Sequence, residues 1–175
     1  MHLAADDFVQ QSLAPAWRRV RESFLEKVGR AGWALDAELP IEQRCLSPSD
    51  FGFHNALLTD QGEVIFLDFE YAGWDDPAKT VCDFFCQVDV PAPADAWPSW
   101  MRRLAKYVAF TGDELPRRCE MLLPVYQIKW CCILMNVFTA TGRARRDFSG
   151  AASADPEPLE RALRLARLMV ERACG

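Results

Sequence analysis

Asp50 and Asn55 stand five residues apart in the run Ser49-Asp50-Phe51-Gly52-Phe53-His54-Asn55, and Asp68 follows thirteen residues after Asn55 in FLDFEYAGWDDP. One carboxylate beside an attacking hydroxyl, with an amide and a second carboxylate holding Mg²⁺, is the equipment of a phosphoryl-transfer centre. Asp50 is the candidate that orients or deprotonates the hydroxyl. Asn55 and Asp68 are the candidate Mg²⁺ ligands. An Asp-x(4)-Asn spacing alone arises easily by chance, as a turn carboxylate and a strand-capping amide, so the weight rests on what positions the three residues.

The positioning element is a hairpin. Ala56-Leu57-Leu58, the turn Thr59-Asp60-Gln61-Gly62 and the run Glu63 to Phe69 carry a β-hairpin signal. Pairing about Asp60-Gln61 sets Asn55 opposite Phe66 or Leu67, so Asn55 and Asp68 emerge at one open end. Strand alternation over Glu63 to Phe69 puts Phe66, Asp68 and Glu70 on one face and Ile65, Leu67 and Phe69 on the other, in a core. An Asp set among so many apolar neighbours needs a cation or hydrogen-bond donors.

Other polar residues near these runs have simpler readings beside their functional ones. Asp83, in VCDFF, suits a structural carboxylate on a helix better than a metal ligand. His54 is a candidate general base, but a loop histidine that packs and hydrogen-bonds locally is the plainer expectation. Glu70 suits either a substrate contact or an ion pair with an arginine such as Arg143. Asp75 and Asp76 read as helix-capping residues, with Asp76-Pro77 as cap and first-turn proline. Arg143, Arg145 and Arg146 read as a solvated turn before a phosphate clamp.

Around the hairpin the periodicity is helical. The spacing predicts an amphipathic helix over 6–29, an irregular stretch over 33–48, a helix from Asp76-Pro77 to about Val88, and another from about Pro98 to Phe110. Glu114 to Thr139 reads as a long helix, kinked near Pro124 and apolar all round from Met121 to Phe138, hence buried. Residues 142–157 read as a linker and Pro158 to Ala173 as a closing helix. The expectation is a mainly α chain with one β-hairpin as its only strands.

Composition narrows the class. Half of the 175 residues are hydrophobic and the net charge is −5. That balance weighs against nucleic acid as a partner and suits a cationic small molecule. The seven cysteines, odd in number and without a signal peptide, read as free thiols of a cytoplasmic protein, packed as small hydrophobes. No apolar run reaches the ~20 residues of a membrane span, so no membrane partner is expected.

The residues SDFGFHNALL (Ser49 to Leu58) and VIFLDFEYAGWDDPAKTVCDF (Val64 to Phe84), and more loosely QIKWCCILMNVF (Gln127 to Phe138), resemble the aminoglycoside phosphotransferase and choline/ethanolamine kinase group, which has the protein-kinase-like fold. The likeness is clear over about residues 40–90. It implies Asp50 as the catalytic Asp, Asn55 and Asp68 as Mg²⁺ ligands that also bind the nucleotide through the metal, and Asp83 as a support of the catalytic loop. ATP is the implied co-substrate and a hydroxyl of a small molecule the acceptor. In the family this Asp follows His-Gly, where Pro48-Ser49 stands here, and a histidine two residues after it is replaced by Gly52.

Residues 1–40 carry no strand series, glycine-rich loop or strand-borne lysine like those of the family's N-terminal β lobe. The chain therefore resembles one kinase-like C-terminal lobe: a leading helix and loop (1–48), the catalytic and metal segment (49–90), and a helical substrate subdomain (91–175). The N-terminal lobe is expected upstream or on a partner chain. Turnover by this chain alone is expected to be weak or absent, and the rival reading is an inactive, pseudokinase-like binding module.

Overall fold

The computed structural model describes residues 2–142, 144 and 157–175. It is mainly helical, at 64% helix, with two small two-stranded antiparallel sheets. The residues group into two compact units. One comprises Met1–Lys27 with Gln127–Gly175, and the other Val28–Tyr126.

In the first unit, α1 (His2–Phe8) passes through a π-helical turn at Val9–Leu13 into α2 (Ala14–Ala31). Ala5, Phe8, Leu13, Ala16 and Val20 are buried along this run, at the spacing that puts them on one face. The end of α5 (Glu114–Met135) adds Ile128, Trp130, Cys131 and Met135, and α6 (Glu157–Cys174) adds Ala162, Leu163, Ala166, Met169 and Val170. The Arg167 guanidinium on α6 lies 5.2 Å from the centre of the Phe8 ring.

The second unit holds the candidate site. Its core gathers Ala78, Val81 and Cys82 of α3 (Pro77–Cys86), Met101 of α4 (Trp97–Leu104), Val108, and Leu115 and Cys119 of α5. Burying side chains of this size stabilises a fold by about 1.5–3 kcal/mol each for the larger ones. Asp76 caps α3 as the sequence indicates: its Oδ1 accepts from Ala78 N at 2.8 Å, with Pro77 in the first turn. Its Oδ2 accepts from Arg118 at 2.5 Å, and that guanidinium sits 5.2 Å from the Trp33 ring centre and 5.8 Å from that of Phe110. Asp75 pairs with Lys79 and accepts from Asp76 N at 2.9 Å.

The expected hairpin is present, as β2 (Ala56–Leu58) and β3 (Val64–Phe66), in the register Ala56↔Phe66, Leu57↔Ile65, Leu58↔Val64. It is not the only sheet. β1 (Cys45–Ser47) lies in the stretch read as irregular and pairs with β4 (Gly73–Asp75), Leu46 facing Trp74. Each of these strands is three residues long, too short to show alternation in sequence.

Several helical expectations need correction. α4 ends at Leu104, and turns at Lys106 and Tyr107 lead to Ala109, whose N–H donates to Glu42 O at 3.1 Å. α5 accommodates Pro124 and is followed by a 3₁₀ turn at Asn136–Phe138. It is not buried all round, since Lys129, Cys132 and Ile133 are exposed. The 25-residue run Glu114–Phe138 is also long and apolar enough by composition to cross a membrane, although core helices of water-soluble proteins share those properties. Of the seven cysteines, all free, Cys132 and Cys174 are exposed rather than packed. The predicted linker over 142–157, and Arg143, Arg145 and Arg146 with it, falls almost wholly outside the described residues, as does any partner of Glu70 there.

Candidate active site

Two loops carry the candidate residues, and the same two ladders tie both. The Asp50 loop leaves β1 after Ser47 and enters β2 at Ala56. The Asp68 loop leaves β3 after Phe66 and enters β4 at Gly73. Ser47 pairs with Gly73 at one end and Ala56 with Phe66 at the other. Leu67 N donates to Asn55 O at 2.8 Å, so Asn55 faces Leu67 and Asp68 comes next. The sheet missed in the sequence thus completes the clamp that sets Asp50 and Asp68 in neighbouring loops.

Aromatic packing anchors the Asp50 loop from below. The Phe51 ring centre lies 4.6 Å from that of Phe66 and 5.2 Å from that of Phe84, and Phe53 is 5.2 Å from Phe84. Phe84 in turn stacks on Trp100 at 5.4 Å. Contacts of this kind favour offset or edge geometries and add to the burial of the rings. With Phe51 and Phe53 turned inward, Asp50 is left outside, its side chain 62% exposed.

Asp50 and Asn55 meet directly. Asn55 Nδ2 donates to Asp50 O at 3.0 Å and approaches Oδ2 at 3.5 Å. That fixes which end of the amide is NH₂ and leaves the Asn55 carbonyl oxygen as the atom a cation would take. His54 joins the same group, its Nε2 lying 3.3 Å from Asp50 Oδ2. The histidine's shortest polar contact is with Gln87, 33 residues along the chain, rather than with a local partner.

Asp68 differs from expectation. The strand stops at Phe66, and Asp68 adopts a left-handed backbone at φ 61°. Alternation therefore does not run through Asp68 to Glu70. Ile65, Leu67 and Phe69 are exposed rather than packed in a core, and Asp68 itself is exposed. Its carboxylate is solvated, so the inference that burial demands a cation there fails. Asp is among the few residues that tolerate the left-handed region, which was the available signal for this turn.

Ser49 is the second non-glycine residue at positive φ, at 73°, and its N–H donates to the buried Ser47 Oγ at 3.2 Å. The two left-handed residues thus flank or form the candidate site. Backbone outliers of this kind persist where surrounding structure fixes them. Asp83 is buried at 4% exposure on α3, which fits a structural carboxylate.

Gln87 is the residue that sequence reading missed. It follows α3, is 3% exposed, and its Nε2 lies 2.6 Å from His54 Nδ1. No local spacing marks it, because its partner is 33 residues away. A divalent cation fits the donor set here: an amide oxygen and a carboxylate are hard ligands, and Mg²⁺ takes few from protein and the rest from water and phosphate. Among the described residues no group of three or more His, Cys, Asp or Glu side chains could hold a metal ion, which leaves no all-protein cage as a rival. No family model matches the sequence. Neither a curated protein nor a solved structure matches it.

Proposed function

We propose that the Asp50 and Asp68 loops form a Mg²⁺- and ATP-dependent phosphotransfer site of the aminoglycoside-phosphotransferase type, on a kinase-like C-terminal lobe, acting on a hydroxyl of a small, cationic molecule. The observation that carries this reading is the double clamp: two ladders tie both loops, and Asn55 bonds to Asp50 on one side and to Leu67 on the other. Ser49 adds support, because its left-handed backbone occupies the position of the glycine in the resembled His-Gly-Asp run. Asp50 would take or orient the acceptor proton. Asn55 and Asp68 would hold the metal, which when bound neutralises phosphate charge.

One observation favours a second body over this site. Leu57, Leu58, Val64, Ile65, Leu67, Phe69 and Tyr71 are all exposed on or beside the β2–β3 hairpin, Leu58 at 73%. Apolar clusters of that size on a surface mark interaction sites. A nucleotide-gripping lobe, upstream or on another chain, is the partner this reading implies. A binding module without catalysis is the alternative.

Calorimetric titration of the chain with Mg·ATP separates the readings. Binding that Asp68→Ala weakens about tenfold or more is expected if Asp68 holds the metal. Equal affinity of wild type and variant overturns the metal assignment. No binding by wild type leaves the binding module, or a lobe that must be supplied in trans.

A further inference from the structure

We propose that the β2–β3 hairpin is clasped on both faces by a partner protein whose concave surface is apolar at its centre and basic at its rim. This partner is the second body already read over the site; its shape and charge rest on that reading and not on the phosphotransfer chemistry.

The shape follows from the hairpin ladder. Adjacent pairs point to opposite faces, so Leu57 and Ile65 stand on one face and Ala56, Phe66, Leu58 and Val64 on the other. Phe66 turns that second face toward Phe51 and Phe53. One pair nearer the turn, Leu58 and Val64 are exposed, as are Leu57 and Ile65 behind them. The core therefore covers neither face of the outer half. Strands that are apolar on both faces are normally covered on both, and a flat partner would cover only one. The tip is also built without a partner: Thr59 N donates to Glu63 O at 2.9 Å, Gly62 N to Thr59 O at 2.9 Å and Glu63 N to Thr59 Oγ1 at 3.0 Å.

The charge follows from what surrounds the apolar pairs. Residues 45–78 include Asp50, Asp60, Glu63, Asp68, Glu70, Asp75 and Asp76 and no Lys or Arg. Lys79 and Arg118 match Asp75 and Asp76. Asp60, Glu63, Asp68 and Glu70 are exposed and pair with no Lys or Arg among the described residues. Asp60 and Glu63 lie at the turn and Asp68 and Glu70 past Phe66, so carboxylates bracket the apolar pairs at both ends. A second copy of this chain would set the same carboxylates against one another, which like-charge repulsion disfavours. An apolar surface rimmed by Lys and Arg satisfies both features.

The probe is a flexible peptide of alternating Leu and Lys, with its Leu-Glu counterpart as control, titrated into ¹⁵N-labelled chain. The Leu-Lys peptide is expected to shift amides of residues 45–76 and no others. Raising the salt from about 0.01 to about 0.15 M should weaken it about threefold or more, and Asp60→Asn with Glu63→Gln should flatten that dependence. Leu57→Thr with Ile65→Thr, and Leu58→Thr with Val64→Thr, should each weaken it about fivefold or more, one pair for each face. An unchanged spectrum outside the hairpin shows that these variants fold. The wild type should sediment as a monomer at low salt. Equal binding of the Leu-Glu peptide, a loss in only one of the two face variants, a wild-type dimer at low salt, or hairpin-dependent binding to phosphatidylcholine vesicles overturns the proposal. None of these readouts involves Mg·ATP, so the clasped hairpin and the phosphotransfer reading fail separately.

Discussion

At the residue scale, the metal role of Asp68 and its backbone conformation are separable. A left-handed φ costs an L-residue with a Cβ roughly 1–2 kcal/mol, less for Asp and nothing for glycine. Asp68→Gly and Asp68→Ala both delete the carboxylate, yet they differ in what the φ of 61° demands. Asp68→Ala is expected to unfold in urea about 1 kcal/mol more easily than Asp68→Gly. Both should lose Mg·ATP affinity to the same extent. If only Asp68→Ala loses it, the residue matters for its turn and not as a ligand. The candidate residues Asp50, Asn55 and Asp68 were legible because their types and spacing are local. The left-handed turn at Asp68 was not, since strand alternation through Phe66 and Leu67 masks a single residue that leaves the β region.

At the element scale, α3 shows what local signals can and cannot decide. Asp76-Pro77 announced its start, and the observed cap agrees. What the sequence hid is that the capping carboxylate also receives Arg118 from α5, with both side chains about four-fifths buried. Removing a cap costs about 1 kcal/mol, and stranding a buried guanidinium costs more. Asp76→Ala is therefore expected to lower unfolding free energy by about 2–4 kcal/mol. Asp76→Asn, which retains an oxygen for Ala78 N, should lose less. An Asp76→Asn variant as stable as wild type in urea titrations would show that the arginine contributes nothing beyond the cap, and losses equal to those of Asp76→Ala would show that the cap contributes nothing beyond the arginine. The β1–β4 pair escaped the sequence for a related reason: Leu46 and Trp74 are 28 positions apart and their strands are three residues each. Past the early end of α4 the chain is likewise tied to a distant residue, by the bond from Ala109 to Glu42.

At the scale of the whole molecule, each unit buries a thiol, and that couples its stability to pH and to thiol chemistry. Burial raises Cys131 from 9.0 to about 12. In the other unit, the contact with Cys119 and then burial push Cys82 upward as well. A thiol whose pKa rises on folding favours the native state only while the unfolded thiol also stays protonated. The contribution is complete below pH 9.0, the ordinary value, and declines as pH climbs from there towards the folded one. Each such thiol should remove about 1.4 kcal/mol per pH unit in that window. Urea midpoints are expected to be flat from neutrality to the thiol range and to fall beyond it, with Cys131→Ala shallower in slope. Cys132 and Cys174 are the exposed thiols, so a disulfide-exchange reagent should label them in the folded chain. Cys82, Cys86, Cys119 and Cys131 should wait for unfolding, because a thiolate must form and be reached before it reacts. Rapid labelling of all seven thiols at neutral pH would mean that neither unit closes around its core as described.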